Sequence, residues 1–372
     1  MPKIAIFLSD LDGGGAERVM LNLASGFALQ NMDVDLLLVR VEGPYVAQIP
    51  PEVRLVPLKG GSLLRSLPAL VGYLKRERPQ VLLSALEDTN AIALWARSLS
   101  GISTQTIVTV HNTLSRESRH ATTLKRKFVP YLLPWLYPMA DAVVCVSEGV
   151  ASDLENIGLS ANSLQVIYNP IVTPQLRKQL QEPLDDPWFA PGEPPVILGV
   201  GRLNPQKDFP TLIRGFAKLR ERQPARLLLL GEGEERDRLE SLVRELGISE
   251  DVTLPGFVAN PYPYMARSSV LVLSSAWEGF GNVLVEAMAA GTPVVATNCP
   301  SGPAEILANG EYGTLVEVGD SEAMATAIAQ TLTEASNPQR LQNRAQEFSL
   351  EKAIAQYQKL FNRNPPKLKT LL

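Results

Sequence analysis

The sequence is poor in the residues that staple or metallate proteins. Its 372 residues include only two cysteines, Cys145 and Cys299, and two histidines, His111 and His120. Distant cysteines with no Cys-x-x-Cys spacing exclude a disulfide framework and a thiolate zinc site, and two histidines without a cysteine cluster are too few for a zinc centre. A metal must be held by carboxylates or substrate phosphates, and a reducing compartment fits. No run approaches the ~18 apolar residues of a membrane span. The N-terminal MPKIAIFLSD has no small-residue cleavage site, so neither a span nor a signal peptide is expected. A basic excess is also missing: 35 Lys and Arg face 39 Asp and Glu, for a net charge of −4, which argues against a nucleic-acid binder.

What is present is an ordinary globular composition, 45% apolar and 20% charged, which excludes a disordered chain. At roughly 150 residues per domain the length favours two. Apolar runs at 3–9, 33–40, 53–58, 81–86, 105–111 and 142–147 alternate with amphipathic stretches such as 16–29 and 63–78. This is the pattern of a doubly wound α/β sheet whose strands are buried on both faces. Proline and charge concentrate over 170–195 without a sustained period, and a second βα series follows. The reading is an N-terminal domain over 1–175, a linker over 176–194, a C-terminal domain over 195–345, a final helix over 346–363 and a tail over 364–372. Two Rossmann-like α/β domains then face each other across a cleft. Ligands of such sheets bind at the carboxyl ends of the strands, so the loops leaving them are where chemistry is expected.

The first such loop, SDLDGGGAERVM, carries Gly13, Gly14 and Gly15 between a strand and a helix, where backbone N–H groups attract phosphate. It is not the dinucleotide fingerprint, because Arg18 stands where the third glycine belongs and the second strand ends in Arg40 rather than an acid. A tight turn is the plainer reading. In the second half, VILGVGRLNPQKDF puts Arg202 and Lys207 in one strand-to-helix loop, two cations suited to a pyrophosphate or simply solvated. SSAWEGFGNVLVEAMAAGTPVV puts Glu278 in a loop and Glu286 on the following helix. The N–H groups of Gly281, Asn282 and Val283 would point at negative charge, and the carboxylates would accept from sugar or ribose hydroxyls. Glu286 sits among apolar residues, where a carboxylate is costly unless paired; a salt bridge to an arginine is the structural alternative.

These motifs together resemble the retaining nucleotide-sugar glycosyltransferases of glycosyltransferase family 4, which have the GT-B fold. The resemblance covers nearly the whole chain through GGGAERV, VTVHN, DAVVCVSEGVASDL, IYNP, GRLNPQKDF, LLLLGEGEER and EGFGNVLVEAMAAGTPVVAT. It is nearest to the branch of N-acetylgalactosaminyl and hexosyl transferases of polysaccharide and lipid-linked oligosaccharide assembly. It implies that Arg202 and Lys207 hold the donor diphosphate, that Glu286 binds ribose, and that Glu278 and His111 lie by the donor sugar and reacting centre. Gly14 and Gly15 would approach phosphates and acceptor, Gly281, Asn282 and Val283 would complete the phosphate cradle, and the base would lie near Gly231, Phe257 and Val258. Taken alone, His111 reads as a satisfied histidine capping a strand. The implied donor is a nucleoside-diphosphate sugar, UDP-sugar favoured, with a glycan or polyprenyl-linked acceptor. No cofactor is implied, and no DxD metal motif is visible in a suitable loop, which agrees with metal-independent transfer. A sugar-nucleotide epimerase or isomerase of the same architecture is the alternative.

Residues 116–137 gather Arg116, Arg119, Lys125, Arg126 and Lys127 beside Phe128, Tyr131, Leu132, Leu133, Trp135, Leu136 and Tyr137. Basic residues next to an aromatic stripe suit an interfacial helix on an anionic membrane. The plainer expectation is a surface helix packing that apolar face on its sheet. The protein is expected in the cytoplasm, at the inner face of the membrane if the stripe binds lipid.

Overall fold

The apolar runs form two parallel sheets in the computed structural model, which describes residues 3–120 and 123–363 and, of residues 124–126, the backbone alone. The first sheet holds β1 (Lys3–Leu8), β2 (Asp33–Leu38), β3 (Arg54–Pro57), β4 (Val81–Ala85), β5 (Gln105–Val110), β6 (Ala142–Cys145) and β7 (Leu164–Val166), in the order β3-β2-β1-β4-β5-β6-β7. The second holds β8 (Val196–Val200), β9 (Arg226–Leu230), β10 (Val252–Gly256), β11 (Val270–Leu273), β12 (Val294–Thr297) and β13 (Thr314–Val316), in the order β10-β9-β8-β11-β12-β13. Each order reverses once, between β1 and β4 and between β8 and β11, which marks the ligand-binding switch point of each sheet. The short β7 escapes a sequence reading because only Leu164 of its three residues is buried.

Helices cover the sheets with their apolar faces, as parallel strands buried on both sides require. In the first unit Tyr73 and Leu74 pack with Phe7, Leu37 and Ile92. In the second, Leu212, Ile213, Phe216 and Leu219 of the helix Phe209–Arg220 pack with Leu229, Leu239 and Ile328.

The unit boundaries differ from those suggested by the composition. One unit runs up to Pro170 and resumes at Leu350; the other is Ile171–Ser349. The stretch 176–194 belongs to the second unit. Thr173 caps the helix Pro174–Gln179 there, Glu193 pairs with Arg226 at 2.6 Å, and Phe189 meets the Tyr264 ring at 5.9 Å. Proline and charge broke the sequence period, but these side chains anchor the segment. The final helix expected over 346–363 begins at Leu350, after a break that separates it from the helix Pro338–Ala345. The break holds because Ile171 and Val172 both donate to the Phe348 carbonyl, at 3.0 and 3.1 Å. Leu350–Arg363 then packs on Gly15–Leu29 in the first unit, with Ile354 and Leu350 where a side chain at Gly26 would stand and Tyr357 edge-on to Phe27. The tail 364–372 lies outside the described residues.

Candidate functional site

At the switch point of the second sheet, the loops after β8 and β11 meet through charge. Asn204 caps the short 3-10 turn Pro205–Lys207, and Asp208 follows in a left-handed conformation, φ 43°. Gly201 lies against the Lys207 stem; a Cβ there would stand 3.1 to 3.3 Å from its carbons. The Lys207 Nζ reaches Glu278 Oε1 at 2.5 Å, and the Ser275 hydroxyl donates to the same oxygen at 2.6 Å. Ser274 donates to the Lys207 carbonyl at 2.7 Å, and Thr297 of β12 donates to the Ser275 carbonyl at 2.6 Å. Three neighbouring strand ends thus fix one ammonium and one carboxylate. Cys299 is buried close by, its thiol pushed up to about 12 by burial and by the Glu278 charge, so it stays a neutral thiol there.

Arg202, on the same loop as Lys207, is exposed and has no ion pair among the described residues. Gly281 caps the helix Asn282–Ala290 at φ 99°, where a β-carbon is disfavoured. Gly281, Asn282 and Val283 stand at the helix start, where the dipole favours an anion. Glu286 is buried on this helix and accepts from Tyr262 Oη at 3.4 Å. Gly231, after β9, lies so close to the next loop that a Cβ would meet the Gly201 carbonyl oxygen at 1.9 Å. Phe257, directly after β10, is 48% exposed, and Val258 is half-buried.

In the first unit the glycine loop is tied from outside. Tyr45 donates to the Gly13 carbonyl at 3.1 Å, and the Arg18 guanidinium lies 3.9 Å from the Tyr45 ring centre. A Cβ at Gly14 would meet the Glu17 carboxylate at 2.3 Å. His111 follows β5, its Nε2 2.8 Å from Thr109 Oγ1, and desolvation pulls its pKa down to about 4. Beneath it lies fully buried Asn90, which accepts from Ser84 Oγ at 2.7 Å and donates to the Thr109 carbonyl at 3.0 Å and Tyr137 Oη at 3.1 Å.

Sequence reasoning missed Ser274, Ser275, Thr297, Tyr262, Thr109 and Asn90. Small polar residues inside apolar strand ends, as in LSSAWE, were the only signal available.

The helix Leu124–Leu136 turns its apolar stripe outward. Phe128, Tyr131, Leu132 and Trp135 are 58, 73, 60 and 84% exposed, while Leu133 and the following Tyr137 are buried. The expectation that the stripe packs inward holds for Leu133 and Tyr137 and fails for these four residues, which face solvent. Arg116, Arg119 and Lys127 are exposed nearby in sequence; the side chains of Lys125 and Arg126 lie outside the described residues. Among the described residues no helix is long and apolar enough to cross a membrane.

Two doubly wound parallel domains define an α/β protein of the GT-B fold. The family model for glycosyltransferase family 4 matches residues 13–174, and that for glycosyl transferases group 1 matches 181–348. The chain is 32% identical over 368 residues, 93% of itself and 94% of the relative, to the N-acetylgalactosamine-N,N'-diacetylbacillosaminyl-diphospho-undecaprenol 4-alpha-N-acetylgalactosaminyltransferase of Campylobacter jejuni. It is 25% identical over 341 residues, 88% of each chain, to the lipopolysaccharide 1,6-galactosyltransferase of Escherichia coli. Its fold is similar to sucrose-phosphate synthase from Thermosynechococcus elongatus, TM-score 0.79 at 22% identity over 98% of this chain and 99% of that one. It is also similar to Anabaena HepE in complex with UDP-glucose, TM-score 0.78 at 22% identity over 97 and 100%. The chain belongs to glycosyltransferase family 4 and is a glycosyltransferase. The epimerase alternative finds no support among these relatives.

Proposed function

We propose that the protein is a retaining hexosyl- or N-acetylhexosaminyltransferase using a UDP-sugar and a glycan or polyprenyl-linked acceptor. The observation that carries this reading is the Lys207–Glu278 pair at the second switch point, a cation and an acid at the place where a doubly wound sheet takes its ligand. Arg202, Lys207 and the amides of Gly281, Asn282 and Val283 hold the diphosphate and stabilise charge growing on the leaving phosphate. Glu286 accepts from the ribose hydroxyls and Glu278 from the donor sugar, with the base at Gly231, Phe257 and Val258. His111 acts at the reacting sugar. Gly14 and Gly15 approach the phosphates and the acceptor. No step is assigned to a metal or cofactor.

Support for the donor class comes from the UDP-glucose named in the HepE complex, and for the acceptor from the diphospho-undecaprenol in the Campylobacter enzyme's name. The outward aromatic stripe of Leu124–Leu136 is proposed to rest on an anionic membrane, which sets the protein at the cytoplasmic face where a polyprenyl-linked acceptor lies.

A melting-temperature panel of UDP, GDP and ADP sugars tests the donor, because a ligand that binds only the folded chain raises its melting point. UDP-sugars are expected to raise it most. Lys207→Ala and Glu286→Ala are expected to abolish transfer while leaving the fold intact; near-wild-type turnover in either would overturn the site.

A further inference from the structure

The Thr109 hydroxyl has one proton and two polar neighbours in line for it, the Ser84 carbonyl at 2.9 Å and His111 Nε2 at 2.8 Å. The carbonyl can only accept, so that contact is a hydrogen bond only if Thr109 donates to it. The hydroxyl oxygen then has lone pairs alone to offer Nε2, and the second contact is satisfied only if Nε2 carries a proton. The third neighbour, Met20 Sδ at 3.9 Å, is a weak acceptor and does not change the count. The backbone around the hydroxyl is held by a buried amide. Asn90, fully buried, accepts from Ser84 Oγ and spends its two amide protons on the Thr109 carbonyl and Tyr137 Oη.

We infer that Thr109 is a positioning residue that holds His111 as the Nε2–H tautomer, so that the neutral ring offers the lone pair of Nδ1, which has no partner among the described residues, to a substrate hydroxyl. Burial, which keeps the ring from charging, agrees with this. The consequence is a specificity. An Nδ1 lone pair accepts from an O–H and repels a phosphate oxygen, so His111 reads a sugar hydroxyl and takes no share of the diphosphate. Nor does it act as a general acid, because its one N–H is committed inward. This rests on the reading of His111 as a residue at the reacting sugar.

With only two histidines in the chain, ¹⁵N spectra of the full-length protein at neutral pH resolve both rings, assigned with His120→Gln. A protonated Nε2 and an unprotonated Nδ1 are expected at His111; a protonated Nδ1, or an imidazolium, overturns the inference. In Thr109→Val the tautomer preference is expected to relax and kcat/KM to fall about tenfold, with Thr109→Ser restoring both. A Thr109→Val protein that keeps the wild-type tautomer overturns the role of Thr109. If the tautomer shifts while transfer is unchanged, the role of His111 at the sugar fails and the tautomer assignment stands. Should Thr109→Val not fold, the wild-type spectrum still decides.

Discussion

Lys207 Nζ and Ser275 Oγ converge on one oxygen of Glu278, Oε1, at 2.5 and 2.6 Å. The two ends of the ion pair come from loops 71 residues apart in sequence, and they join β8 to β11 where the order of the sheet reverses. Each group is proposed to meet a different part of the donor, the ammonium the diphosphate and the carboxylate the sugar. Donor binding must then exchange this contact for two new ones, and the pair keeps both charges compensated until it does.

Glu278→Gln tests that exchange. It keeps the shape of the side chain and frees Lys207 from a competing charge. UDP is expected to bind at least as tightly by calorimetry, while transfer falls about 100-fold, the usual loss for one group acting on developing charge. Loss of UDP binding in this variant would show that Glu278 supports the phosphate site instead.

Glycines around the site are not equivalent. Gly231→Ala drives a methyl into the Gly201 carbonyl, 1.9 Å away, and backbone must shift to admit it. Gly281→Ala has room, with Leu273 at 3.5 Å, and carries only the cost of its positive φ, about 1–2 kcal/mol. Melting temperatures are expected to fall more for Gly231→Ala than for Gly281→Ala. The reverse order would mean that the loop after β9 yields more readily than its contacts imply.

The outward stripe predicts membrane binding that depends on side chains the fold does not use. Tyr131 and Trp135 are 73 and 84% exposed, so replacing both by serine should leave the melting temperature unchanged. Co-sedimentation with phosphatidylglycerol vesicles at low salt is expected to drop sharply in the double variant and to weaken for the wild type as salt rises. Equal sedimentation of variant and wild type would remove this surface from the proposal.

Acid should destabilise the protein in two stages. His111 has a folded pKa of about 4 against an ordinary 6.5, so between these values the unfolded chain binds a proton that the folded chain refuses. Stability therefore falls as pH drops from about 6.5 toward 4. Glu77 is held down to about 2, chiefly by its hydrogen bond with Lys3 and then by Arg54; its contribution is complete above about 4.5 and lost as pH falls toward 2. Melting temperature against pH should show both stages. His111→Gln is expected to flatten the upper one and Glu77→Gln the lower; an unchanged upper stage in His111→Gln would place that titration elsewhere.

Much of this was legible without coordinates. Val, Ile and Leu runs announce strands such as β1, β4, β8 and β9 because burial on both faces leaves no polar positions, and a carboxylate at Glu286 announces itself by standing in an apolar helix. The anchoring of 176–194 and the outward face of Leu124–Leu136 were not legible. In each case the local signal was correct about proline, charge or period, and a distant contact decided the outcome.

By itself the sequence determined the two α/β units, their family and the identity of the ionic groups, because hydrophobic period and motif spacing are properties of neighbouring residues. Only the tertiary structure decided which unit owns the last helix, which face of the 124–136 helix meets solvent, and where the single proton of Thr109 points. That last choice is set by Ser84, 25 residues away, and by a buried Asn90 whose hydrogen bond to the Thr109 carbonyl exists only once strands β4 and β5 lie side by side.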